Sequence, residues 1–211
     1  MAINPNDKLL NQHCAFLGGS GSGKTWKVKE RIHKNKKANV MLFDSEEVYG
    51  KEVVYFNDFK KFAACVIKNH KAGARFKLGY SGKQSDFNAF CKLAWLIADG
   101  NRELLTIFEE CGGYLGNGAS TDDYWYKLIS IGRKYNISVL PVSQRPQNMS
   151  KVLFDNCNTK WLGYSMGKAK NYLESEFKID MNRIEPESYA YYLVNAKGIK
   201  FYNAKNKEVK S

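Results

Sequence analysis

Several short stretches of the sequence hold residue types that do chemistry. GGSGSGKT, Gly18 to Thr25, fits the pattern G-x-x-x-x-G-K-[ST]. Gly18, Gly19, Gly21 and Gly23 let the backbone turn, so that successive N–H groups, those of Ser20 and Ser22 among them, aim at phosphate oxygens. A helix that starts directly afterwards adds its positive N-terminal end. Lys24 then reaches the β- and γ-phosphates of a bound nucleotide, and the Thr25 hydroxyl ligates Mg2+. ATP with Mg2+ is the expected ligand pair.

LLTIFEE ends an apolar run in two carboxylates, Glu109 and Glu110. Neighbouring side chains at a strand's end face opposite ways, so the two acids cannot share one task. One orients the metal's shell and the other takes a proton from an attacking water. Glu109 is expected on Mg2+ and Glu110 as the base. A third stretch, VLPVSQRP (Val139 to Pro146), runs from apolar residues straight into Ser143, Gln144 and Arg145 with no turn signal between.

The elements that must position these groups alternate between strand and helix patterns. Strands are expected over HCAFLG (13–18), NVMLFD (39–44), VVYFN (53–57), ARFKLGY (74–80), LLTIFE (104–109), ISVLPVS (137–143) and WLGYS (161–165). Helices are expected over Lys24 to about Lys34, over 58–69 opened by Asp58, and over 85–100 capped by Ser85 and stopped by Gly100. Two more are expected over 120–136, capped by Ser120 or Thr121, and over 169–177. Residues 188–204 read as a hairpin turning at NAKG. The fold class is α/β, a mostly parallel central sheet flanked by helices with a C-terminal β-hairpin. Pro141 removes a ladder donor, so a bulge or an unpaired edge is expected there.

The 211 residues are expected to form a single domain, 1–211. No apolar run approaches the ~20 residues of a membrane helix, so no transmembrane segment is expected, and the N-terminus has no secretion pattern. Cys14, Cys65, Cys91, Cys111 and Cys157 form no CxxC, and His13, His33 and His70 keep no zinc spacing. They read as reduced thiols of a cytosolic protein. A net charge of +12, from 33 basic and 21 acidic residues, favours a polyanionic partner, because neutralised phosphates release counterions.

Put back in its setting, the third stretch is GRKYNISVLPVSQRPQNMSKVLFDNCNTKWLGY, 132–164. Gly132, Arg133 and Lys134 end a helix; Ser143, Gln144, Arg145 and Pro146 end a strand; Val152, Leu153 and then Asn156, Cys157, Asn158 and Thr159 follow. In this order and with the phosphate loop and paired acids, residues 13–165 resemble the HerA–FtsK superfamily of P-loop motor ATPases. Two departures stand out. The acids are Glu-Glu where the family has Asp-Glu, and FDSEEVYG keeps only Asp44 and Tyr49 of an Asp-Pro-His-Gly-Glu-Tyr pattern.

The resemblance implies a RecA/FtsK-like sheet and roles for two further residues. Gln144, at the tip of the strand beside the acid strand, would hydrogen-bond the γ-phosphate or the lytic water through its amide. Arg133 would act as a finger on the site of a neighbouring subunit, with Arg145 the alternative. A homo-oligomeric ring, a hexamer being one candidate size, would surround double-stranded DNA, with 111–120, Lys197 and Lys200 as channel candidates.

Among relatives, a chain with room for little beyond the motor resembles the genome-packaging ATPases of tailless, membrane-containing icosahedral viruses. That implies a DNA translocase filling a preformed capsid, partnered by capsid-vertex or viral membrane proteins, in the virion at the packaging vertex and in the host cytoplasm. A cellular HerA-type translocase shares every motif. A small P-loop kinase would want an arginine-rich lid, and the arginines here are scattered singly. A non-hydrolysing nucleotide-binding protein would have no use for Glu110.

Overall fold

The computed structural model describes residues 2–111 and 123–209. Its strands are β1 (Cys14–Leu17), β2 (Asn39–Phe43), β3 (Val54–Phe56), β4 (Lys77–Tyr80), β5 (Leu104–Phe108), β6 (Ile137–Ser143), β7 (Thr159–Leu162), β8 (Tyr191–Asn195) and β9 (Gly198–Tyr202). Its α-helices are α1 (Lys24–Lys34), α2 (Phe59–Lys71), α3 (Phe87–Ile97), α4 (Tyr124–Ser130), α5 (Lys151–Asn156) and α6 (Gly167–Phe177). Among the described residues the strands join in one nine-stranded sheet ordered β3-β4-β2-β5-β6-β1-β7-β8-β9. Pairing is parallel from β3 across to β7, and antiparallel from β7 to β8 and from β8 to β9. The expected α/β architecture is the one observed, with the hairpin closing one edge.

Every residue of β2, β5 and β6 is buried. Such continuous apolar runs belong to parallel strands covered on both faces. Alternate residues supply two cores. Met41, Phe43, Phe108 and Val139 face one side with Phe62, Phe90, Leu128 and Leu173 from α2, α3, α4 and α6. Val40, Leu42, Ile107 and Leu140 face the other with Val28 and Ile32 of α1 and with Tyr49 and Val53. Phe43 meets Phe87 and Phe90 edge-on, with centroids 5.4 Å away in both cases. Such ring pairs add about 0.5–1.5 kcal/mol each beyond area burial.

Among the α-helices of the described residues, only α2 has a side-chain bond at its N-cap. Asp58 accepts from the Lys61 N–H at 3.0 Å as the N-cap of α2, an interaction worth about 1 kcal/mol. Three expectations need correction. α3 starts after Asp86, not Ser85, because 84–86 form a 3-10 turn. Asp86 makes no side-chain cap bond and accepts from the Tyr80 hydroxyl instead, and the helix ends at Ala98, whose backbone is extended, before Gly100 is reached. The helix expected over 120–136 is α4 followed by a separate 3-10 turn over Gly132–Tyr135, broken at Ile131; its expected caps Ser120 and Thr121 lie outside the described residues. The segment before β7 contains α5, which the apolar periodicity did not announce.

Pro141 also departs from its expectation. It lies in neither a bulge nor an edge, since β6 is paired on both sides. The register with β5 runs to Phe108↔Pro141, and the register with β1 begins at Phe16↔Val142. Proline thus stands where one ladder finishes and the other starts, where a missing N–H interrupts least.

Candidate nucleotide site

Because the strands run parallel, β1, β2, β5 and β6 deliver Gly18, Asp44, Glu109 and Gln144 to one edge of the sheet. Ladder-like bonds continue past the strand ends and fix these loops. Gly18 N–H donates to Ser143 O (3.3 Å), Gly163 N–H to Leu17 O (2.8 Å), Glu109 N–H to Phe43 O (3.0 Å) and Gly19 N–H to Tyr164 O (2.6 Å). β6 is inserted between β1 and β5. With strands about 4.8 Å apart, the phosphate loop and the acid strand stand about 10 Å from each other. That gap suits a phosphoryl group flanked by a lysine and a carboxylate.

The loop over Gly18–Thr25 turns into α1 through Gly23 at φ 92°, a backbone that an L side chain rarely adopts. Its back rests on the β7–α6 connection so closely that a Cβ on Gly163 would lie 2.5 Å from the Trp161 ring and 3.1 Å from Ser22 Cβ. No motif in the sequence singled out Gly163. Lys24 is buried, and its Nζ donates to the carbonyls of Gly18 and Gly19 at 2.8 Å each. Burial lowers its pKa, while Glu110 and Glu109 oppose that shift. The lysine therefore shares a field with both acids.

Those acids diverge, as their adjacency requires. Glu109 turns toward β2 and accepts from the Tyr49 hydroxyl at 2.5 Å. Tyr49 N–H donates to the Tyr55 hydroxyl (3.3 Å), which donates to Asp44 Oδ2 (2.5 Å). Asp44 also accepts from the N–H groups of Glu46 (3.0 Å) and Val48 (2.8 Å). Burial pushes the Glu109 carboxyl up to about 7; the Tyr49 hydrogen bond and Lys24 act against this, and the charges of Asp44 and Glu110 add to it. Glu110 sits at φ 48°, the kind of left-handed backbone that clusters at functional sites. Its Oε2 accepts from the Gln144 backbone N–H at 3.3 Å, and its buried Oε1 has no hydrogen-bond partner among the described residues.

Lys24, Glu109, Glu110 and Gln144 are thus brought to one edge, with Thr25 one residue beyond the lysine. Gln144 contacts Glu110 through its backbone N–H, and its side chain, whose amide is expected to meet the γ-phosphate or the lytic water, is exposed. Arg133 does not join them. It precedes β6, whose seven residues span about 23 Å at ~3.3 Å per residue, and so lies at the opposite end of the sheet. Its guanidinium donates to the carbonyls of Asp7 (3.3 Å) and Leu9 (3.0 Å). Arg145 is exposed beside Gln144. The 111–120 loop lies outside the described residues apart from Cys111. Lys197 and Lys200 are on the hairpin, and Lys200 pairs with Glu208 at 2.8 Å.

Tyr49, Tyr55 and Asp44 form the support that sequence reasoning left without a role. The signal available was an aspartate ending the second strand with a tyrosine shortly after. Mg2+ fits this donor set. Such an ion is held by one or two carboxylates plus phosphates and water, and here a hydroxyl at Thr25 accompanies carboxylates whose mutual repulsion a cation relieves. Among the described residues no cluster of three or more His, Cys, Asp or Glu could hold a metal without such help. The cysteines are free, with Cys91, Cys111 and Cys157 buried.

The whole sheet order can be compared with solved structures. Across 94% of this chain and 98% of the other, it superposes on the genome packaging NTPase B204 from Sulfolobus turreted icosahedral virus 2, solved in complex with AMPPCP (TM-score 0.72, 11% identity). The chain shares the fold of that NTPase. VirB4 of Thermoanaerobacter pseudethanolicus shares the fold more distantly (TM-score 0.63, 12% identity, 95% of this chain and 90% of that one). By sequence, the chain is 28% identical to Protein P9 of Pseudoalteromonas phage PM2 over 155 residues, 74% of this chain and 69% of the relative. No protein-family model matches. Among the described residues no helix is long and apolar enough to cross a membrane.

Proposed function

We propose that the chain is an ATP-hydrolysing motor that drives double-stranded DNA into a preformed viral capsid. The observation that carries this reading is the meeting of Lys24, Glu110 and the tip of β6 across the adjoining ends of β1, β6 and β5. Likeness to a packaging NTPase crystallised with a nucleotide analogue supports the nucleotide, and the net charge of +12 supports a nucleic-acid partner.

The backbone N–H groups of the loop and Lys24 would bind the β- and γ-phosphates, the lysine leaving the carbonyls it now holds. Thr25 and Glu109 would hold Mg2+, which when bound neutralises charge on the phosphates. Tyr49 orients Glu109. Glu110 takes a proton from water at its unpaired Oε1 as the water oxygen bonds to the γ-phosphorus. The bond from that phosphorus to the bridging oxygen breaks, leaving ADP and phosphate. Gln144 ties this acid to β6, so loss of the phosphate is felt at that strand's tip. Arg133, too far to serve its own site, acts on a neighbouring subunit of a homo-oligomeric ring, and the 211 residues work as one motor domain. Capsid-vertex or viral membrane proteins would dock the ring in the virion, after assembly in the host cytoplasm.

The test is ATP hydrolysis with and without double-stranded DNA over a range of salt. Stimulation that fades with rising salt is expected; hydrolysis indifferent to DNA at every salt concentration would sink the translocase reading. A cellular HerA-type translocase, which shares every motif, is the second reading, and failure of a capsid-vertex protein to bind the ring would select it.

A further inference from the structure

A cavity of about 260 Å3 opens beside the phosphate loop, between the start of α1 and the segment leading into β8. Ser22 and Gly23 form the wall it shares with the phosphate cradle, and Trp26, Trp161 and Tyr189 form the rest of its aromatic lining. Trp26 follows Thr25 directly yet is 56% exposed, and Tyr189 is 54% exposed. Tyr189 holds φ 52°, and its ring packs on the loop, 3.2 Å from where a Cβ on Gly23 would stand.

The polar groups nearby divide into two kinds. Lys27, also on the wall, is committed elsewhere: it pairs with Glu30 at 3.2 Å, donates to Asn206, and lies over the Tyr191 ring at 4.5 Å. By contrast, the buried Trp161 indole N–H and the buried Ser22 hydroxyl have no hydrogen-bond partner among the described residues. The neighbouring cradle is lined by backbone N–H groups and Lys24, whereas this slot is mostly apolar, and two of its buried polar atoms have no hydrogen-bond partner among the described residues. A ligand spanning both needs a chain of phosphates at one end and an aromatic ring at the other.

We propose that the slot takes the nucleobase of the triphosphate, held by the Trp26 and Tyr189 rings. This rests on the cradle being a triphosphate site. A slot of this size is smaller than the ~300–1,000 Å3 of a drug-sized pocket and suits a base without its phosphates. Recognition of a ring face by aromatic side chains does not require edge-specific hydrogen bonds, which agrees with the few polar atoms on the walls.

The experiment is calorimetric titration of ATP and of inorganic tripolyphosphate, both with Mg2+, into the full chain and into Trp26→Ala and Trp26→Phe. Trp26 is exposed, so the substitutions leave the core untouched. The unaltered chain should bind both ligands, ATP more tightly. Trp26→Ala should weaken ATP at least tenfold and leave tripolyphosphate unchanged, and Trp26→Phe should restore most of the loss. If Trp26→Ala changes neither ligand, or both equally, the base slot is wrong while the cradle stands. If the unaltered chain binds neither ligand, the triphosphate site itself falls and the slot with it.

Discussion

The backbone N–H of Gln144 donates to Oε2 of Glu110 at 3.3 Å, joining the tip of β6 to the second acid after β5. β6 also carries Ser143, whose carbonyl accepts from the first residue of the phosphate loop, Gly18, at 3.3 Å. One strand end therefore touches both halves of the site. Two hydrogen bonds, at residues 143 and 144, thus link Gly18 to Glu110 by way of β6.

Glu110→Gln should retain ATP binding and lose hydrolysis by about 10²–10⁴, the usual contribution of a positioned base. Gln144→Ala keeps the backbone contact and removes only the amide, and turnover is expected to fall at least tenfold with ATP affinity nearly unchanged. Single-turnover hydrolysis alongside equilibrium binding checks both. Normal turnover in Gln144→Ala would leave the backbone link as the residue's whole contribution.

Glu109 carries an acid raised to about 7 from an ordinary 4.5, burial being the main cause. Between those values the folded chain binds more protons than the unfolded one. The group's contribution to stability is therefore present below about 4.5 and lost as pH rises through about 7. At pH 8, Glu109→Gln should shift the urea midpoint upward while hydrolysis disappears. Tyr49→Phe removes the donor that favours the ionised form, so the acidic limb of the kcat/KM profile should move to higher pH. An unmoved limb would leave Tyr49 a packing residue.

His13 titrates with the opposite sign. It is buried in contact with β6, where its Nδ1 accepts from the Val139 N–H at 2.9 Å, and burial lowers its pKa from 6.5 to about 4. The folded state holds it neutral, so its contribution is complete above about 6.5 and declines as pH falls toward 4. The full decline is worth about 3 kcal/mol. Urea midpoints from pH 7 to pH 4.5 should fall more steeply in the unaltered chain than in His13→Gln.

Arg133 lies at the far end of β6 from its own phosphate loop, whereas Arg145 lies beside that loop's edge. Mixing Lys24→Ala subunits with Arg133→Ala subunits should restore hydrolysis at interfaces that pair an intact lysine with a neighbour's intact arginine. Mixing Lys24→Ala with Arg145→Ala should restore none, because Arg145 can serve its own site. The reverse pattern would exchange the two roles. Loss of the Arg133 bonds to Asp7 and Leu9 is expected to loosen the N-terminal segment, which hydrogen exchange would detect.

The residues by themselves determined the elements and which polar groups stand at their ends. Continuous apolar runs, the glycine loop ahead of Lys24, Asp58 before its helix and the NAKG turn are local signals, each decided by free energies acting within a few residues. The phosphate loop and the paired acids were legible for the same reason. What only the tertiary structure decided is who stands beside whom. The insertion of β6 between β1 and β5 places Pro141 where a missing donor is tolerated and puts the Gln144 backbone on Glu110. Tyr49 meets Glu109, and Trp26 shares a cavity with Tyr189, across long stretches of chain. Such contacts arise from crossovers and from packing on the two faces of the sheet, and no short-range pattern in the sequence encodes them.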